Sequence, residues 1–260
     1  MELGLSGRRA VVTGGSKGIG LAVAQELARE GASVAICARN PEEVAAAAKE
    51  LRELGGQVHD QVTDVTVAEQ VTDFIEASAA ALGGIDILVN NAGAAHPGTF
   101  ETLTDEDWHG DLDVKLFSQI RCTRAALPHL RRSSAPRVIN VNAVYAKYPD
   151  PTFFATTVNR AACLNLNKAL AIQYGPEGIL VNSVNIGFVV TPQWQNIRTR
   201  RAPELSQDEF FATLAADEVP LGRFGDVSEV SGLVAFLASD RASYISGASI
   251  DVAGAMGTYV

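Results

Sequence analysis

Short apolar runs alternate with amphipathic stretches along almost the whole chain. Residues 10–12, 33–37, 58–62 and 85–89 predict the first four strands. Helical periodicity fills the gaps at 19–30, 41–54 and 67–82. Pro41 sits at a favoured first helical position, and Gly55-Gly56 supplies a stop. The second half continues with a long helix over 107–132, a strand at 137–141, a helix at 153–174 and a strand at 179–184. A helix at 227–239 and a strand at 249–252 close the pattern. Such alternation predicts an α/β fold, a single domain over residues 1–260 with a parallel sheet of about seven strands and helices on both faces. Residues 191–220 read as a polar, irregular stretch, and a segment that long in a small domain is usually a lid or binding loop.

Composition narrows the partners. A net charge of −9 argues against nucleic acid and against anionic membrane surfaces. No apolar stretch is long enough to span a bilayer, and residues 1–9 hold no apolar signal core, so the expected location is cytoplasmic. Cys37, Cys122 and Cys163 are odd in number, widely spaced and without a CxxC pair. They predict buried small hydrophobes, not a disulfide framework, and no metal site is expected.

The candidate chemistry begins at Thr13-Gly14-Gly15-Ser16-Lys17-Gly18-Ile19-Gly20, which leaves the first strand and opens the first helix. A glycine loop there allows a tight turn at Gly14 and close helix packing at Gly20. The helix N-terminus then aims free N–H groups at a pyrophosphate. Asp64-Val65 and Asn90-Asn91-Ala92-Gly93 follow downstream. Together these segments resemble the short-chain dehydrogenase/reductase family, and the resemblance covers nearly the whole chain. It implies a Rossmann-like, doubly wound sheet. It also implies a cofactor site formed by Gly14, Ser16, Lys17, Ile19 and Gly20, with Asp64 and Val65 at the adenine and Asn91, Ala92 and Gly93 on the floor. The second strand ends in Ala38-Arg39-Asn40 with no acid for a ribose 2′-hydroxyl. Arg39 and Lys17 instead suit a 2′-phosphate, which predicts NADP(H). Ile186-Gly187-Phe188-Val189-Val190-Thr191 resembles the family turn that holds the nicotinamide carboxamide through Val189 and Thr191.

The family's Asn, Ser, Tyr and Lys tetrad falls on Lys115, Ala143, Thr156 and Arg160. A threonine hydroxyl is no acid near neutral pH, and an arginine cannot relay protons. Lys115 becomes the candidate acid, its pKa lowered by a like charge on Arg160. Tyr145 and Tyr148, beyond the altered strand, are further candidate donors, and His96 is expected at the pocket rim. Arg198, Arg200 and Arg201 form a basic lid segment ahead of Glu204, Asp208 and Glu209, which reads as a mixed-charge helix and would suit an anionic substrate.

The chain is similar to divergent family members that lack the Tyr-x-x-x-Lys pair, including olefin reductases of antibiotic pathways. The expected activity is NADPH-dependent reduction of a conjugated C=C or C=N bond of a small substrate. A carbonyl reductase with a rebuilt proton donor stands beside it. So do a non-catalytic NADPH-binding protein or partner subunit and a non-redox lyase or isomerase. The resemblance also implies a homo-oligomer, a tetramer or dimer, with Leu112, Leu116, Ile120, Leu164, Leu166 and Leu170 supplying apolar surface on two helices.

Overall fold

Strands whose residues are buried on both sides must be covered on both faces, and helices do this here. In the computed structural model, which describes residues 2–257, the first half runs β1 (Arg9–Thr13), α1 (Gly18–Arg29), β2 (Ser33–Ala38), α2 (Pro41–Glu53), β3 (Val58–Val62), α3 (Ala68–Leu82) and β4 (Ile87–Asn90). The second half runs α4 (Asp105–Leu112), α5 (Ser118–Leu130), β5 (Arg137–Ala143), α6 (Phe154–Tyr174), β6 (Leu180–Ile186), α7 (Pro192–Arg201), α8 (Gln207–Glu218), α9 (Val227–Ala238) and β7 (Ser249–Val252).

Among the described residues, seven strands pair in the order β3-β2-β1-β4-β5-β6-β7, all parallel. The chain reverses its direction of travel between β1 and β4, and the crevice beyond the carboxyl ends of those strands is where such sheets bind ligands. One face packs Val23, Leu27, Leu51, Val230 and Val234 from α1, α2 and α9. The other packs Phe74, Ile75, Cys122, Ala126 and Leu130 from α3 and α5. A third cluster, with Phe188, Phe210, Phe211, Phe224 and Met256, lies beyond the sheet and supports the cleft from one side.

Two expectations are corrected. The stretch 191–220 is not irregular, because it contains α7 and α8. Ser206 and Glu209 close a capping box at the start of α8, and Phe210, Phe211 and Ala215 bury one side of it. The apolar residues of α7 are too few to mark a periodic stripe, and only the mixed charges from Arg198 onward pointed to a helix there. The helix expected over 107–132 starts earlier, at the Thr104–Asp107 capping box, and is interrupted. Residues Asp113–Phe117 form a π-helical turn between α4 and α5, with Ser118 N–H bonding to the Asp113 carbonyl. One extra residue in a turn leaves no mark in hydrophobic periodicity over so short a window.

All three cysteines are buried and free. Cys37 and Cys122 sit in the apolar core, and burial pushes both thiols well above their ordinary range. No helix among the described residues is long and apolar enough to cross a membrane.

Candidate active site

The cleft at the strand ends holds a cavity of about 470 Å³. Its first wall is the glycine loop. Gly14 has φ +65° and Gly18 φ +56°, values that an L side chain rarely adopts. A Cβ on Gly20 would run into the Gly14 carbonyl oxygen and Asn91 Nδ2. The close approach at Gly20 is thus to the loop and to Asn91, not to the sheet. Asn91 locks it, donating from Nδ2 to the carbonyls of Thr13 (3.0 Å) and Gly14 (3.1 Å). Lys17 stands at the N-cap of α1, and the helix has no side chain capping its first N–H groups and no acid in its first turn. Those donors and the dipole are left to a ligand, which is what a pyrophosphate requires.

Asp64, Val65, Ala92, Gly93, Val189 and Thr191 all line the same cleft, as do Ser16 and Ile19. Asp64 Oδ1 is already engaged by the N–H and hydroxyl of Thr66, at 2.9 and 2.8 Å. Thr63 also borders the cleft, and its Oγ1 is buried without a hydrogen-bond partner. Arg39 lies exposed at the rim and forms no ion pair among the described residues. Lys17 differs. Its Nζ pairs with Glu43 Oε1 at 2.7 Å. Glu43 sits in the first turn of α2, where Asn40 caps the helix. No acid ends β2, yet α2 brings one to the same rim.

The reacting end of the cleft is built around a buried carboxylate. Asp111, on the last turn of α4, accepts hydrogen bonds from Lys115 Nζ and Thr156 Oγ1 (3.3 Å) on Oδ1, and from Asn159 Nδ2 (2.8 Å) on Oδ2. Lys115 lies in the π-helical turn, is 1% exposed and borders the cavity. The wide turn frees backbone carbonyls, which are satisfied locally. Ser118 Oγ donates to the Val114 carbonyl at 2.7 Å, and Cys163 Sγ approaches the Lys115 carbonyl at 3.6 Å.

Arg160 lines the cavity from α6. Its Nη1 donates to the Val141 carbonyl at 3.1 Å, its Nε has no partner, and a Cβ on Gly93 would fall 2.9 Å from Nη2. Burial lowers the Lys115 pKa to about 8, with Arg160 adding to the fall and Asp111 opposing it. The expected direction holds, but desolvation is the larger cause and the like charge the second. Burial also lowers the Arg160 pKa.

The structure does not gather every expected residue. Tyr145 reaches the cavity, stacked on Phe153 at 5.5 Å, but burial pushes its phenol pKa well up, with Asp150 adding to the rise. Tyr148 does not line the cleft. A short 3-10 turn, Val144–Ala146, turns the chain aside before it. His96 stays outside and pairs with Asp107 at 3.1 Å. None of Arg198, Arg200 and Arg201 reaches the cavity; α7 presents Gln193, Trp194 and Ile197 instead. Arg198 is spent on the Leu205 carbonyl at 2.8 Å. The basic lid therefore supplies no anion site here, and the nearby walls are apolar, from Val144, Phe153, Phe188, Trp194 and Met256.

Sequence reasoning missed Asp111, Asn159, Thr63 and Glu43. Only Asp111 had a local signal, its i,i+4 spacing to Lys115.

A family model described as Enoyl-(Acyl carrier protein) reductase matches residues 14–256. The chain belongs to the short-chain dehydrogenase/reductase family. Within it, a short chain oxidoreductase of Pseudomonas aeruginosa PAO1, described as containing an atypical catalytic center, is 40% identical. Its apo structure superposes with a TM-score of 0.94 over 99% of this chain and 100% of that one. An NADPH-bound structure from the same organism, described in the same terms, gives 0.90 over 96% and 97%, again at 40% identity. The L-sorbose reductase of Gluconobacter frateurii, complexed with NADPH and L-sorbose, is 32% identical and gives 0.96 over the full length of both chains. The 3-oxoacyl-(acyl-carrier-protein) reductase of Thermotoga maritima is 31% identical over 252 residues, 97% of this chain and 98% of that protein.

Proposed function

We propose that the chain is an NADP(H)-dependent reductase that works on a small substrate with a polarised double bond and steadies the developing negative charge with Lys115 in place of a phenol. The observation that carries this is Lys115, which borders the cavity, is almost fully buried and is hydrogen-bonded to Asp111; burial lowers its pKa to about 8. The NADPH-bound relatives support the cofactor.

The free N–H groups of α1 and the Ser16 hydroxyl hold the pyrophosphate, and Arg39 meets the 2′-phosphate. Asp64 and Val65 border the adenine. Arg160 Nη2, beside Gly93 on the cleft, faces ribose hydroxyls, a task that needs a donor and no proton transfer. Val189 and Thr191 hold the carboxamide. When bound, the reduced nicotinamide supplies the hydride.

Lys115, Arg160 and Asp111 together carry one net positive charge. That charge favours an oxyanion, whether the enolate left by addition to a conjugated C=C bond or the alkoxide left by addition to a ketone. We place the conjugated C=C or C=N bond first. An enolate needs only charge stabilisation at oxygen, and solvent water then supplies the proton at carbon. The apolar walls around Phe188 and Trp194 suit a neutral, largely hydrophobic substrate better than an anionic one. Ketone reduction is the second reading, favoured by a Lys115 pKa at which an ammonium can donate its proton near neutral pH.

NADPH oxidation against matched enones, imines and ketones tests the reading. Turnover of enones above ketones supports it, and turnover of ketones alone selects the second. Tight NADPH binding with no turnover across the panel identifies a non-catalytic binding protein. We also propose a homo-oligomer. Leu112, Leu116, Ile120, Leu164, Leu166 and Leu170 all remain partly exposed, and a monomer mass of 27.4 kDa in light scattering would refute assembly.

A further inference from the structure

We propose that Asp111 is a positioning residue that aims the Lys115 ammonium at the cleft and holds it protonated. This rests on Lys115 acting as the acid or charge donor proposed above. The carboxylate is anchored on both oxygens. Asn159 Nδ2 holds Oδ2 at 2.8 Å, and Thr156 Oγ1 shares Oδ1 with the ammonium. Asp111 and Thr156 are both nearly inaccessible, at 1% and 5% exposure. A carboxylate fixed by donors from α6 cannot swing with the lysine, so the lysine must come to it. The π-helical turn brings Lys115 there, one turn of chain after Asp111.

The arrangement also balances charge. The groups facing Lys115 are Asp111 on α4 and Arg160 and Cys163 on α6. Of these, Arg160 opposes the ammonium form, and Asp111 and Cys163 favour it. Burial opposes it most. Without Asp111, two buried cations would stand together with no counter-charge, and the lysine would shed its proton. Thr156, at the position of the family's tyrosine, thus gains a different use. It hydrogen-bonds to the carboxylate that organises the new donor, and does not itself supply the proton.

The test is a pH series on Asp111→Asn, Asn159→Ala and Lys115→Met. Activity that depends on the ammonium falls as pH rises through the Lys115 pKa. Asp111→Asn removes the counter-charge and should move that fall to lower pH by about 1–3 units. Asn159→Ala removes a competing donor, leaves Asp111 more tightly paired with Lys115, and should move the fall upward. A merely structural role would lower activity at every pH without shifting the limb, and would not give opposite signs. The same shifts should appear without substrate or cofactor, in an NMR titration of 13C-labelled lysine with the Lys115 signal assigned by its loss in Lys115→Met. Should Asp111→Asn fail to fold, the upward shift in Asn159→Ala carries the test. If Lys115→Met retains the wild-type pH profile, the lysine assignment itself fails. If Lys115→Met abolishes the limb while Asp111→Asn and Asn159→Ala leave it in place, the role of Asp111 is overturned.

Discussion

Lys17 Nζ lies 2.7 Å from Glu43 Oε1 across the rim of the cofactor cleft, while Arg39 beside them has no ion-pair partner among the described residues. Two cations that look equivalent in the sequence are therefore unequal. Lys17 must give up or share Glu43 to meet a phosphate, and Arg39 need not. Arg39→Ala should weaken NADPH binding by roughly 10–100-fold, the worth of a charge-assisted hydrogen bond. Lys17→Ala should cost less, and Glu43→Ala should tighten NADPH. Fluorescence titrations with NADPH and NADH decide this, and equal affinity of the unaltered protein for both would contradict it.

Lys115→Ala should lower turnover by roughly 10²–10³-fold, the usual loss for one donor to an oxyanion. Thr156→Ala removes the longer, 3.3 Å bond to Asp111 and should cost far less. NADPH affinity should survive both. The check is steady-state kinetics on any substrate found in the panel. Equal losses in the two variants would shift the catalytic role away from the lysine.

Gly20→Ala places a methyl group against the Gly14 carbonyl and Asn91 Nδ2, neither of which can retreat without moving the loop. NADPH binding should weaken by more than about tenfold, because the loop amides and the α1 N-terminus lose their alignment. Gly110→Ala, where a Cβ meets nothing nearby, is the control. Calorimetric titration of both variants gives the answer.

Asp86 provides a pH signature of stability. Burial raises its pKa, but hydrogen bonds from the Arg9 side chain, Ser133 and the Arg9 backbone outweigh this and hold the carboxyl below its ordinary range. Its contribution is present above the unfolded value of about 3.9 and is lost as pH falls through the lower folded value. Asp86→Asn should destabilise by about 1.5–3 kcal/mol at pH 7. The gap from wild type should narrow below about pH 4. Urea unfolding at both pH values measures it, and a gap independent of pH would assign the loss to packing instead.

The parts of this molecule that were readable in the chain are those set by local rules. The period of the apolar runs gave the sheet and its covering helices. Gly14 and Gly20 marked the nucleotide loop because backbone geometry admits little else there. The rest depends on what meets across the fold. Asp111 lies between Asp107 and Asp113, and its i,i+4 spacing to Lys115 is the one local sign that the middle one turns inward. Tyr145 and Tyr148 are equally suggestive by position, but one short turn brings only the first to the cavity. The lid arginines looked like an anion site until α7 showed Trp194 and Ile197 to the cleft.

The wide turn at Asp113–Phe117 makes this active centre a matter of helical phase. In an unbroken helix, Lys115 and Cys122 are two turns apart and would point the same way. Here one serves the cleft and the other fills the core beneath α5. The additional residue supplies roughly 100° of rotation between them. Substitutions within that turn can be absorbed, but deleting one residue would return α4 and α5 to a common register. The segment would then have to choose between packing the sheet and presenting the lysine. Its length, more than its composition, is what divergence of this chain could least change.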